Sequence, residues 1–279
     1  MRCWRPLKRQ RNWGRTNAHR CQGGHQHAGP RGGRLNIRHV EELVKVLSDL
    51  KNAGHEMIVV SSGAIGMGAG KLGLSRPKDM PTKQAAASVG QCELMYTYDK
   101  LFSEYSHTVG QILVTREDFD RAPRLMNLEN TLYRLLQLGA IPIINENDTV
   151  ATEEIAVGDN DTMGAIVAKY MRADLLVLLS DINGLYTADP HTHPDARLIE
   201  RVEEITPEIE ALAGGAGSSL GTGGMATKLM AARIATSAGV EMVIANGERA
   251  AVLYDIVEGR TAGTRFLPRR SPLLKEVFV

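Results

Sequence analysis

Residues 221–232 (GTGGMATKLMAA) have the composition of an anion-binding loop. Three glycines lead into a predicted helix, and the amides at a helix N-terminus attract phosphate together with the helix dipole. Lys228 falls in the first turn, where the dipole disfavours a cation unless an anion lies in front of it. A flexible loop with a surface lysine is the alternative. The segment is not a Walker A loop, which ends in Gly-Lys-Ser/Thr.

A second polar segment, residues 144–161 (INENDTVATEEIAVGDND), follows a predicted strand. Its amides and carboxylates could together hold the ammonium and carboxylate groups of an amino acid. At least one of Asp159, Asn160 and Asp161 could instead cap the next helix. A calcium loop is a weaker alternative, because the spacing lacks the bidentate glutamate of an EF-hand.

Three more segments contain polar residues in places that favour binding. In residues 59–74 (VVSSGAIGMGAGKLGL), small residues let backbone amides approach an anion, although an ordinary strand–helix turn is equally compatible. Residues 178–190 (LLSDINGLYTADP) form either a plain long loop or a cover for a nucleotide base. His191 and His193 have no third ligand nearby, so a solvated loop is favoured over a metal site.

Helices and strands alternate from Arg34 onward and place these segments at strand ends. The strands are apolar on both faces, which indicates a parallel-rich sheet covered by helices on both sides. Ligands of such sheets bind at the carboxyl ends of the strands. The predicted strands are residues 56–62, 109–115, 141–147, 174–180 and 240–246. The predicted helices are residues 36–54, 83–105, 120–139, 162–171, 224–239 and 248–259.

The composition is that of a globular protein. The chain has 279 residues, 43% of them hydrophobic, and a net charge of +1, which suits one or two domains. No apolar run is long enough to span a bilayer, and no secretory signal is evident. The three cysteines (Cys3, Cys21 and Cys92) do not make a disulfide framework, so a cytoplasmic location is expected.

Residues 1–33, here called the head, differ from the remainder. They contain seven arginines, one lysine and no acidic residue, whereas residues 34–279 carry 25 basic and 32 acidic side chains. A basic arm could bind nucleic acid or acidic lipid, but a disordered tail is favoured. We therefore predict one domain over residues 34–279 and an aberrant head.

The segments VSSGAIG, KQAAASVGQ, INENDTVA, GDND, LYTADP and GTGGMATK, in this order, resemble the amino acid kinase family. The resemblance covers roughly residues 34–266 and is close to members that phosphorylate L-glutamate to L-glutamyl 5-phosphate in proline biosynthesis. It implies an αβα sandwich with a mainly parallel central sheet. The acceptor carboxylate is already ionised at neutral pH, so catalysis needs positioning and charge neutralisation rather than a general base.

The resemblance also implies roles for individual residues. Lys228 would stabilise the transferring phosphoryl group, and Asp161 would orient the catalytic lysine. ATP would bind with Mg²⁺, and no metal site on the protein is expected. The implied substrate-binding residues are Ser62, Asn145, Asp148 and Asn160, with Asn145 supporting the loop. The implied nucleotide-binding residues are Ser180, Asp181, Thr222, Gly223, Gly224, Met225, Ala226, Thr227 and Lys228.

Several expectations about partners follow from the same resemblance. Proline is expected to inhibit at or near the glutamate site, and a homo-oligomer is expected, without a membrane or nucleic-acid partner. Pairing with glutamate-5-semialdehyde dehydrogenase stays open, and the C-terminal PUA domain of many members is expected to be absent. The alternatives are a family member acting on aspartate, acetylglutamate, carbamate or UMP, and a catalytically impaired relative whose head binds RNA.

The head also departs from the family pattern. Members begin with an apolar strand that ends in a Lys-Val-Gly-Thr-Ser-like phosphate loop, which the head lacks. Codons 17–28 read one nucleotide forward permit Met-Arg-Ile-Val-Val-Lys-Val-Gly-Thr-Ser-Thr-Leu, which supplies both, so we infer a frameshift. A chain translated as written is expected to lose a central strand and one phosphate lysine, with weak or no activity and poor stability.

Overall fold

A computed structural model of the chain describes residues 18–23, 36–75, 77–150, 160–190, 192–213 and 224–268. Its strands are β1 (Ala18–Gly23), β2 (Glu56–Ser61), β3 (Val109–Val114), β4 (Ile141–Glu146), β5 (Leu175–Ser180), β6 (Arg201–Val202), β7 (Glu241–Asn246) and β8 (Thr264–Phe266). Its helices are α1 (Ile37–Asn52), α2 (Ala64–Lys71), α3 (Met80–Ser103), α4 (Arg116–Asp120), α5 (Ala122–Gln137), α6 (Asn160–Tyr170), α7 (Pro207–Ala213), α8 (Met225–Ser237) and α9 (Val252–Val257).

The strands form one twisted layer in the order β3-β4-β2-β1-β5-β7-β8-β6. Neighbouring strands run parallel except β7 and β8, which are antiparallel. The first six strands in this order therefore end at one edge of the sheet, here called the carboxyl edge. The predicted mainly parallel sheet is confirmed.

Apolar side chains cover both faces of the sheet, as the residue pattern of its strands predicts. Every residue of β5 is buried, and alternate residues of the strands face opposite layers. One face packs against α1, α3 and α9, with Val59 and Ile143 among the buried residues. The other face packs against α5, α6 and α8. The predicted αβα sandwich is thus confirmed.

Local signals account for the first helix. Asn36 caps α1, because its side-chain oxygen accepts a hydrogen bond from the His39 amide, 3.3 Å away. The buried residues of α1 include Val40, Leu43, Val44 and Leu47, which recur at the spacing of one helix face. Gly54, just past the helix end, has a φ of +98°, a conformation that glycine adopts without strain.

The head supplies a strand, contrary to the sequence prediction. β1 pairs with β2 along its whole length and with β5 from His19 to Gly23. The expectation that the chain as written lacks a central strand is therefore wrong for the backbone. The reason is that β2 and β5 both need a hydrogen-bonding partner on their inner edges, and an extended segment ahead of α1 provides it. The residues of β1, AHRCQG, are nevertheless not those of a central parallel strand.

The remaining differences concern short elements. Residues 64–71, which follow the end of β2, form the short helix α2. The sequence prediction missed α4, α7, β6 and β8, which are too short to show a periodic pattern. Within the part of the chain that the structure describes, no helix has the length and apolar character needed to cross a bilayer.

Candidate active site

Polar residues gather at the carboxyl edge because the chain leaves each strand there. Ser61 ends β2, Glu146 ends β4 and Ser180 ends β5. The helices that follow parallel strands begin at this edge and run back along the sheet, so the starts of α6 and α8 lie there as well. Two polar regions result, one on the β2–β4 side and one on the β5–β7 side.

A buried ion pair joins the starts of α6 and α8. The Lys228 Nζ lies 2.9 Å from the Asp161 Oδ2, and the two residues are only 6% and 9% exposed. Asp161 is in the first turn of α6, where the helix dipole favours a carboxylate. Lys228 is in the first turn of α8, where the dipole disfavours a cation, so Asp161 offsets that cost. The alternative of a surface lysine is wrong.

The start of α8, as described from Gly224 onward, has features that suit an anion. Gly224 precedes the helix and has no side chain with which to cap its first amides. The first turn contains no acidic residue, and the Thr227 hydroxyl donates back to the Gly224 carbonyl at 2.7 Å. These features suit a phosphate group at the helix N-terminus.

The end of β2 is held by a side chain of α3. The Ser61 hydroxyl is buried and lies 3.0 Å from the Tyr98 hydroxyl. Ser62 follows, half-buried, and Gly63 takes a φ of +99° to turn the chain into α2. The amides at the start of α2 therefore lie next to Ser62, in a position to donate to a carboxylate.

The end of β4 is also tied to α3. The Asn145 Nδ2 donates to the Gln91 Oε1 at 2.9 Å, and the Asn145 Oδ1 accepts from the Glu146 amide at 2.9 Å. Asn145 is 2% exposed, so its amide is occupied with holding the strand end. Asn145 therefore ties the end of β4 to α3.

Asp148 lies two residues beyond β4 and is half-buried. Burial, and secondly the carboxylate of Glu146, raise the pKa of Asp148 to about 6. An approaching cation stabilises a partly buried carboxylate more strongly than it stabilises an exposed one. Asp148 is thus suited to receive an ammonium group.

The β5–β7 side of the edge carries a second set of polar contacts. The Ser180 hydroxyl donates to the Asp181 Oδ1 at 3.0 Å. Asn183 accepts from Asn246 at 2.9 Å and donates to the Tyr186 hydroxyl at 3.1 Å. These bonds hold the loop after β5 against the end of β7, and the loop remains beside the carboxyl edge.

One buried threonine fixes the far end of that loop. The Thr264 hydroxyl accepts from the Leu185 amide at 2.8 Å and donates to the Ile199 carbonyl at 2.6 Å. Gly184 has a φ of +149°, and a Cβ at this position would lie 2.4 Å from the Thr264 hydroxyl oxygen. A side chain at residue 184 would therefore displace the loop.

Comparison with known proteins identifies the family. The sequence matches the amino acid kinase family over residues 23–246. The chain belongs to the amino acid kinase family. It is 58% identical to glutamate 5-kinase from Clostridium tetani over 235 residues, which are 84% of this chain and 88% of that protein. It is 55% identical to glutamate 5-kinase from Moorella thermoacetica, over 85% of this chain and 63% of the relative.

Solved structures of other kinases share the fold. Carbamate kinase from Giardia lamblia bound to AMP-PNP has a TM-score of 0.65 and 16% identity, over 90% of this chain and 98% of that one. Isopentenyl phosphate kinase from T. acidophilum has a TM-score of 0.61 and 18% identity, over 90% and 99% of the two chains. The predicted family, fold and similarity to glutamate 5-kinases are confirmed. As a member of the family, the chain is an enzyme of the phosphotransferase class.

The structure places most of the predicted site residues at the carboxyl edge. Lys228 contacts Asp161 directly, and Ser62 follows a strand that neighbours the one ending beside Asn145. Asn160 begins α6, and Ser180 ends β5. Thr222 and Gly223 of the predicted phosphate loop lie outside the described residues, as does Asp159. His193 is exposed and bonded to Thr192, while His191 is also outside the described part.

Sequence reasoning missed the supporting residues of the site. Gln91 and Tyr98 lie on a helix that the pattern predicted only as a helix, and Thr264 lies on a strand of three residues. Gln91 ends the motif KQAAASVGQ, which was one signal available. Among the described residues, no three His, Cys, Asp or Glu side chains cluster in a way that could hold a metal ion.

Proposed function

We propose that this chain transfers the γ-phosphoryl group of ATP to the side-chain carboxylate of L-glutamate, forming L-glutamyl 5-phosphate and ADP. The observation that carries the proposal is the buried pair of Lys228 and Asp161 at the carboxyl edge, 2.9 Å apart. It lies at the starts of two helices, where phosphate would bind. The relatives named glutamate 5-kinase support the choice of acceptor.

The reaction needs no proton transfer. An oxygen of the ionised side-chain carboxylate forms a bond to the γ-phosphorus, and the bond from that phosphorus to the bridging oxygen breaks, leaving ADP. Lys228 offsets the charge on the transferring group, and Asp161 holds the ammonium in place. The first turn of α8, with Thr227, would contact the phosphates. Magnesium would enter with the nucleotide and would help to neutralise the charge of its phosphates.

Recognition of the amino acid is assigned to the β2–β4 side of the edge. Asp148 would accept the ammonium group, and Ser62 and Asn160 would donate to the carboxylate. Ser180 and Asp181 would contact the nucleotide on the opposite side. In this division, the acceptor and the donor would meet at the carboxyl edge, where Lys228 lies.

Acceptor specificity tests the proposal. ADP release is measured with L-glutamate, L-aspartate, N-acetyl-L-glutamate, carbamate and UMP, for the chain as written and for the chain translated in the shifted frame. We expect the rate with L-glutamate to exceed the others by about 100-fold, because a site built for one set of polar groups leaves them unpaired with another. A faster rate with a different acceptor would contradict the assignment.

Other parts of the proposal rest on the resemblance. Proline would inhibit at the glutamate site, the enzyme would be a homo-oligomer in the cytoplasm, and glutamate-5-semialdehyde dehydrogenase would use its product. Proline is the simplest to check: unchanged activity of the full chain in millimolar proline would exclude it as an inhibitor.

A second candidate function, a relative without turnover, is favoured by the residues of β1. The strand pairs with β2 and β5 in the middle of the sheet, yet it contains His19, Arg20 and Gln22. A chain with this strand would lack the phosphate lysine of the family. Such a relative would bind L-glutamate but would not release ADP when L-glutamate is added.

The raised pKa of Asp148 predicts how glutamate binding depends on pH. The ionised carboxylate binds the ammonium group, so affinity for L-glutamate should fall about tenfold per pH unit below about pH 6. The same raised pKa means that the folded state holds the proton more tightly than the unfolded state. This contribution to stability is therefore present at low pH and is lost as the pH rises through about 6.

Calorimetric titration of L-glutamate between about pH 5 and pH 8 measures this dependence. The matched control is Asp148→Asn, which has no charge to lose and should bind weakly with little change over the same range. If the affinity for L-glutamate changes equally with pH in the two proteins, a group other than Asp148 causes the pH dependence.

A further inference from the structure

One face of α3 holds the ends of two neighbouring strands. Tyr98 contacts Ser61 at the end of β2, and Gln91 contacts Asn145 near the end of β4. Gln91 and Tyr98 are seven residues apart, which is about two helical turns, so they share a helix face. Both strand ends carry residues assigned to the amino-acid site.

Backbone contact fixes α3 relative to the carboxyl edge. A Cβ on Gly90 would lie 1.8 Å from the Ala64 carbonyl oxygen, so α2 and α3 meet where only glycine fits. Gln91 is the next residue after this contact. This backbone contact therefore fixes the position of Gln91 relative to the start of α2.

The orientation of the two amides is determined by a backbone donor. The Glu146 amide can only donate, so the atom of Asn145 that faces it must be the oxygen. The Asn145 nitrogen then faces Gln91, and the contacting atom of Gln91 must be its oxygen. The Gln91 Nε2 is consequently directed away from this bond.

That nitrogen has no acceptor among the residues that the structure describes. Gln91 is 9% exposed, and leaving a buried amide donor unpaired is unfavourable. A methionine of similar length would fill the same space without such a group. Packing alone therefore does not explain a glutamine at this position, whereas its bond to Asn145 does.

We propose that Gln91 is a positioning residue for the amino-acid site. It holds the Asn145 side chain, which holds the backbone of Glu146, and this chain of bonds sets the course of residues 146–148. The inference rests on the proposed function in one respect, the assignment of Asp148 to the substrate ammonium. Gln91 itself needs no contact with the substrate.

The test compares Gln91→Met with the unsubstituted full chain by hydrogen–deuterium exchange and by calorimetry. We expect exchange to become about tenfold faster over residues 145–150 and to stay unchanged in the preceding part of β4, because only the local bonds are lost. The dissociation constant for L-glutamate should rise about tenfold, and that for ATP should change less than twofold. Gln137→Met is the matched control, since Gln137 is exposed on α5, and it should change none of these quantities.

A double-mutant cycle separates positioning from packing. Asn145→Ala should reproduce the local change in exchange, and adding Gln91→Met to it should have less than a twofold further effect. Additive effects, faster exchange throughout the chain, loss of folding, or equal loss of ATP and glutamate affinity would overturn the proposal. If the unsubstituted chain binds no L-glutamate, the proposed function fails, and the exchange comparison still decides the role of Gln91.

Discussion

Translating codons 17–34 in the shifted frame is expected to raise the melting temperature of this protein by about 10 °C and its turnover with L-glutamate by at least about 100-fold. The stability gain comes from β1, which lies between two strands whose residues are buried almost throughout. His19, Arg20 and Gln22 would be replaced by apolar residues and one lysine. Apolar residues are the usual ones in a central parallel strand, so the shifted-frame strand should be the more stable of the two.

The gain in turnover comes from that lysine, which takes position 22. This position pairs with Val60 of β2 and Leu178 of β5, and paired residues of parallel strands face the same side. Val60 and Leu178 pack in the clusters that include residues of α6 and α8, the helices whose first turns contain Asp161 and Lys228. The new ammonium would therefore lie on the same face of the sheet as the existing ion pair.

Three proteins measure this prediction: the chain as written, the shifted-frame chain, and the shifted-frame chain with methionine in place of its strand lysine. We expect the third to keep the gain in melting temperature and to lose the gain in turnover. Equal stability and turnover in the first two would show that the strand as written serves the enzyme. An intact single frame on resequencing codons 17–34 would exclude the frameshift.

Separating Lys228 from Asp161 has the second large effect. In the shifted-frame chain, Lys228→Met should lower kcat by about 10³-fold, because the transferring phosphoryl group loses a cation held in a buried site. Asp161→Asn should lower kcat as well. It should also lower the free energy of unfolding by about 3 kcal/mol or more, since it leaves a buried ammonium without its countercharge.

The double variant Lys228→Met with Asp161→Leu is the control for this prediction. Removing both charges relieves the cost of an unpaired one, so stability should return towards that of the parent while turnover stays lost. Urea unfolding and steady-state kinetics measure the two quantities. Retained turnover in any of these variants would mean that other residues stabilise the transferring phosphoryl group.

The sequence predicted the fold well where burial is regular. β5 is apolar up to its last residue and α1 has a buried face with a capping asparagine, and these patterns need no tertiary information. It failed for β1, because AHRCQG carries no strand pattern. That strand forms because its two neighbours leave unpaired backbone groups, which is a property of the assembled sheet.

The candidate site was predictable to a similar extent. Strand ends and a glycine-rich helix start indicated Asn145, Asp148 and Lys228, since such residues have few structural uses in those places. The pairing of Lys228 with Asp161 was not derivable from spacing, because 66 residues of the chain lie between them. Gln91 escaped notice for the same reason: its partner Asn145 belongs to a distant strand.

Trapping the product tests the proposed reaction most directly. The shifted-frame chain is incubated with ATP, magnesium, L-glutamate and hydroxylamine, which converts an acyl phosphate into a hydroxamate that mass spectrometry locates within the molecule. We expect a hydroxamate on the side-chain carboxyl group that requires both ATP and L-glutamate and is lost in Lys228→Met. Release of ADP without any hydroxamate, or a hydroxamate on the α-carboxyl group, would contradict the proposed function.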